Sequence, residues 1–80
     1  MKSIIIGTII NLERLNNSVW GNPRYLVTIK DKAGSYFYAK TASDASCGYS
    51  ITNYYSKKKL FHYHITKAGN NIIDNIDSIV

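Results

Sequence analysis

The sequence predicts an all-β fold: a small five-stranded barrel, OB-like or SH3-like, with one short helix between strands 3 and 4. Three observations carry that expectation. Several stretches rich in Ile, Val and Tyr alternate at period two, Asn-, Gly- and Pro-containing turns separate them, and only Thr41 to Asn53 lacks the alternation. The chain has 80 residues, enough for one hydrophobic core, so a single domain over residues 1–80 is expected. Closing the sheet also removes the exposed edges that a chain with so many Ile and Tyr would otherwise offer to aggregation.

The first strand is read over Lys2 to Leu15, where Ile4, Ile6, Thr8, Ile10 and Leu12 share one face and Ile5, Gly7, Ile9 and Asn11 the other. Gly7 in its middle predicts a bulge or sharp bend, which lets one long strand serve two halves of a barrel. Asn16 to Pro23 holds the densest turn chemistry and is read as a loop. Arg24 to Lys30 sets Tyr25, Val27 and Ile29 against Arg24, Thr28 and Lys30, with Leu26 interrupting the polar face. The turn Asp31-Lys32-Ala33-Gly34 leads into a third strand from Ser35 to Ala39. Thr41 to Asn53 is small and polar and suits a short helix or helical turn, with Thr41 or Ser43 as its N-cap. Leu60 to Thr66 and Asn71 to Ile76, joined by Lys67-Ala68-Gly69-Asn70, form a second hairpin.

Ten Lys and Arg against five Asp and Glu give a net charge of +5, which attracts anions at long range. A hydrophobic content of 45% with seven Tyr excludes intrinsic disorder. The lone Cys47 cannot form an internal disulfide and fits a reducing compartment. The run Ile4-Ile5-Ile6 stops at Gly7 and Thr8, too short for a membrane span or a secretory signal. A soluble protein of the host-cell cytoplasm, with no membrane partner, is therefore expected.

No trio of nucleophile, base and orienting acid has a recognisable spacing, so the chain reads as a non-enzyme with no cofactor. His62 and His64 point the same way on one strand but lack a third ligand, so no metal site is expected. Lys57-Lys58-Lys59, flanked by Tyr54, Tyr55 and Phe61, is the strongest local charge and mixes the cations and rings that phosphates and bases require. Tyr36 and Tyr38 share a face with Lys40. Turned outward they would form a stacking platform; turned inward they would be core.

Two polar clusters are expected to converge, because the start of strand 2 and the end of strand 3 lie at the same end of an antiparallel hairpin. Asn17, Ser18, Trp20, Asn22 and Arg24 come from one loop and Thr41, Ser43, Asp44, Tyr49 and Asn53 from the other. Together they would make an anion pocket, in which Arg24 contacts phosphate, Asp44 orients it and Trp20 or Tyr49 stacks. The competing structure is an Arg24–Asp44 pair that holds loop geometry.

Within these loops, Asn17-Ser18, Gly21-Asn22-Pro23-Arg24-Tyr25, Thr41-x-Ser43-Asp44-Ala45-Ser46 and Tyr49-x-Ile51-x-Asn53 form a pattern that resembles small uncharacterised proteins of bacteriophages and related mobile elements. The resemblance covers most of Asn11 to Asn53. It implies a phage-type accessory protein and transfers no activity to any residue. The function expected is thus binding of a nucleotide or single-stranded nucleic acid between the 16–24 and 41–53 loops. The alternative is inhibition of an acidic host enzyme through an exposed Tyr/Lys surface.

Overall fold

In the computed structural model, which describes residues 2–17, 21, 23–42 and 51–79, five strands and one 3-10 turn follow one another. They are β1 (Lys2–Leu15), β2 (Arg24–Asp31), β3 (Tyr36–Thr41), the 3-10 turn Ile51–Tyr54, β4 (Lys58–Ile65) and β5 (Asn71–Asp77). The strands close into a barrel in the order β1-β2-β3-β5-β4. β1 is antiparallel to both β2 and β4, and the seam is a short parallel ladder between β3 and β5, Lys40↔Ile72 and Thr41↔Ile73. A long first strand shared by two halves, with β3 meeting β5 in parallel, is the arrangement of an OB-like barrel. The helical connection expected over Thr41 to Asn53 is corrected at its start, where Thr41 ends β3 and pairs with Ile73; its described end is the 3-10 turn, and residues 43–50 lie outside the described residues.

β1 divides its length between two neighbours. Lys2 to Thr8 pairs with β4 and Gly7 to Leu15 with β2, so Gly7 and Thr8 have partners on both sides. At this crossing the backbones come close: a Cβ on Gly7 would sit 2.5 Å from Ile29 Cγ2 and 2.7 Å from the Lys30 carbonyl oxygen. Gly7 is therefore a close-approach residue. The register irregularity lies further on, between Ile9 and Asn11, where Ile10 is the additional residue. That insertion reverses the alternation. Ile9 is fully buried and Ile5 packs against the core before it, while Leu12 packs there after it, so Leu12 parts from Ile4, Ile6 and Ile10, which are exposed.

The core consists of Ile9, Val27, Ile29, Ala39, Ile51, Phe61 and Ile73, with Tyr25, Phe37, Tyr54 and Ile76 packed around it. Val27 and Ile29 are the residues that the alternation of β2 turns inward. Phe37 and Tyr63 bring their rings to a centroid distance of 4.8 Å across the barrel. Ile51 delivers the 3-10 turn into the core, and the chain then rejoins β1: Tyr55 forms a parallel bridge with Ile9, and the Ser56 amide donates to the Ile9 carbonyl at 2.9 Å.

Candidate functional site

The start of β2 and the end of β3 lie side by side, as the antiparallel pairing requires. The Tyr25 amide donates to Thr41 Oγ1 at 3.0 Å, and the Ala42 amide donates to the Ile73 carbonyl at 3.0 Å. Thr41 is fully buried, so its hydroxyl is a joint between the start of β2 and the end of β3 and not a surface contact. Arg24 is half-buried, and its Nε is buried with no hydrogen-bond partner among the described residues. A guanidinium N–H in that state is costly unless an acceptor completes it. Asn17 is exposed and accepts a hydrogen bond from Arg14, whose guanidinium lies 5.4 Å above the Tyr25 ring.

Asn53 sits on the 3-10 turn, exposed, and the residues after it are tied to Ile9 and Ile10, whereas Arg24 pairs with Leu15 at the other end of that half of β1. Ser18, Trp20, Asn22, Ser43, Asp44 and Tyr49 lie outside the described residues, and the proposed Arg24–Asp44 pair with them.

A second constellation forms on the outer face of the hairpin. The inward residues of β2 and β3 are Val27, Ile29, Phe37 and Ala39, so Leu26, Thr28 and Lys30 face outward opposite Lys40, Tyr38 and Tyr36 in the ladder. Arg24 continues the same parity. Tyr36 and Tyr38 are each 58% exposed, which resolves the inward and outward alternatives in favour of an open aromatic pair. Their strand is held at both ends. Asp31 Oδ1 accepts from the Ala33 and Ser35 amides, both at 2.9 Å, which fixes the turn before Tyr36. Asn71 Nδ2 donates to the Tyr38 carbonyl at 3.0 Å, just beyond the β3–β5 ladder.

Cations surround the pair. Across the strands, Lys58, Thr8, Lys30 and Tyr36 form one aligned row, because Thr8 pairs with both Lys58 and Lys30 and Lys30 pairs with Tyr36. Within the lysine run the three members differ. Lys58 joins this row. Lys59 lies with Nζ 4.9 Å from the Tyr54 ring centroid and 3.4 Å from Ser78 Oγ, and Lys57 is exposed beside the turn. Glu13, opposite Leu26, is the carboxylate bordering the face from β1. The signal for this constellation is present in the sequence as Arg24-x-Leu26-x-Thr28-x-Lys30 and Tyr36-x-Tyr38-x-Lys40. It becomes one site only when the register sets the two patterns side by side.

On the other half of the barrel, His62 Nε2 lies 2.7 Å from Asp77 Oδ2 and His64 Nδ1 lies 2.8 Å from Asp74 Oδ2, in two cross-strand pairs. Among the described residues no group of three or more His, Cys, Asp or Glu side chains could hold a metal ion, and no helix is long and apolar enough to cross a membrane. No protein-family model, curated protein or solved structure matches this chain.

Proposed function

We propose that the chain is a non-enzymatic module that binds single-stranded nucleic acid on the outer face of β2 and β3, with Arg24 at the loop end of that face. The observation that carries this reading is the outward pair Tyr36 and Tyr38, with Lys30 opposite Tyr36 in the ladder and Lys40 next along the same face of β3. Exposed rings offer bases a sequence-tolerant stacking surface, and the flanking cations neutralise phosphates. Strands 2 and 3 and the loop between β4 and β5 are also where OB-like barrels hold oligonucleotides, an analogy of fold alone. Two rings favour a strand over a free nucleotide, which can occupy one. An accessory role of the phage type agrees with a module of this size.

Fluorescence anisotropy with a labelled oligothymidylate of eight or more nucleotides at low salt tests the proposal. The double variant Tyr36→Ala/Tyr38→Ala is expected to lose about a hundredfold in affinity, from roughly 1–3 kcal/mol of stacking per base. Its melting temperature should stay close to that of the parent, because both rings are exposed. Affinity unchanged by the double substitution would overturn the site. Absence of binding to any oligonucleotide would overturn the ligand class and direct the search to an acidic protein partner for the same Tyr/Lys surface.

A further inference from the structure

We infer that the ligand lies along the strands of the hairpin as an extended, unstacked segment of about three nucleotides, one base on each tyrosine; this rests on the single-strand reading above. The spacing of the rings is the ground for it. Tyr36 and Tyr38 are two residues apart on β3, which separates their Cα atoms by roughly 6.6 Å. Successive stacked bases of a nucleic-acid strand are only about 3.4 Å apart. Two adjacent bases that each cover one ring must therefore be drawn apart to roughly twice the stacked spacing. A pre-stacked strand or a duplex cannot satisfy both rings with neighbouring bases.

The cations give the direction and the length. Lys40 continues β3 beyond Tyr38, and Lys30, Thr28, Leu26 and Arg24 run alongside on β2. From Lys30 to Arg24 is six residue steps, about 20 Å, which an extended strand at about twice the stacked rise covers with three nucleotides. One end of this track meets Lys58 through Thr8, and the other meets the half-buried Arg24 at the start of β2. Phosphates thus find a cation at each end, while the two bases nearest the Lys30 end lie on the rings. In this arrangement Tyr36 and Tyr38 serve different nucleotides, so each ring adds its own contribution to a dinucleotide but not to a mononucleotide.

A competition series with thymidine monophosphate, (dT)2, (dT)3, (dT)4 and (dT)8 reads this register. Affinity should rise by about tenfold or more from the mononucleotide to the dinucleotide, rise again to the trimer, and beyond the tetramer grow only in proportion to the number of available registers. In the Tyr36→Ala protein the step from mononucleotide to dinucleotide should collapse to within about twofold, while mononucleotide affinity, carried by Tyr38, should fall by no more than about twofold. A (dT)8 that binds with no length step, or with tenfold steps continuing to the octamer, overturns the two-ring register and leaves the single-strand reading standing. A (dT)8 that does not bind overturns both.

Discussion

Replacing Gly7 with Ala would place a methyl group where β1 passes between its two neighbours. The added Cβ would meet Ile29 Cγ2 at 2.5 Å and the Lys30 carbonyl oxygen at 2.7 Å. The first contact belongs to a fully buried side chain and the second to backbone held in the β1–β2 ladder, so neither can turn aside. Overpacking of this kind costs about 1–3 kcal/mol, with the backbone contact placing Gly7→Ala toward the upper end. The loss of unfolded-state freedom on going from Gly to Ala offsets roughly 0.4–1 kcal/mol. The net is about 2 kcal/mol, which for a domain of this size lowers the melting temperature by about 10 °C. Thermal and urea unfolding followed by circular dichroism measure it, with an m-value close to the parent's. In an Ile29→Ala background the cost of Gly7→Ala should shrink, because the nearer of the two contacts is gone. A Gly7→Ala protein that melts within about 2 °C of the parent would refute the close-approach explanation.

Two further predictions follow from the joint and from the lysine run. Thr41→Val keeps the shape of the buried side chain but strands the Tyr25 amide, so it should cost about 1–3 kcal/mol in chemical unfolding, while Thr41→Ser, which retains the acceptor, should cost clearly less. Equal losses for the two would mean that packing and not the hydrogen bond joins the start of β2 to the end of β3. Among Lys57→Gln, Lys58→Gln and Lys59→Gln, the middle substitution should reduce the slope of log affinity against log salt most, by about 0.7 for one phosphate contact to a single strand. Three equal reductions would show that the run acts as diffuse charge.

Much of the barrel was legible because strand residues declare their burial by alternation. Val27 and Ile29 point inward as their pattern requires, and the two turn sequences after β2 and β4 carry the hairpins where expected. The misassignment of Leu12 has a single cause: the extra residue at Ile10 follows Ile9, another isoleucine, so nothing in the sequence marks which of the two is inserted. Gly7 drew attention to the right region for a neighbouring reason, close packing, with the bulge displaced along the strand. Thr41 shows a different limit. A threonine between a lysine and an alanine looks like a ligand donor or an N-cap in sequence, and only the Tyr25 amide beside it reveals a buried acceptor. The outer-face cations and rings were each visible on their own strand. Their union depended on a ladder register that relates Lys30 to Tyr36, a relation no single strand encodes.

The double duty of β1 also bears on how the chain matures at the ribosome. Lys2 waits for His64 and Gly7 for Lys59, so the first half of this strand is synthesised long before its partner exists. At about 5–20 residues per second, the interval from Gly7 to Lys59 is roughly 3–10 s, longer than many small domains need to fold once complete. Through that interval Ile4, Ile5 and Ile6 present an unpaired, strongly β-forming edge to the crowded surroundings. The β2–β3 hairpin, whose partners are close in sequence, can form against the second half of β1 meanwhile. This segment, made some fifty residues ahead of its partner, is therefore among the last to be sheltered, and nascent-chain chaperones have a window of seconds in which to hold it.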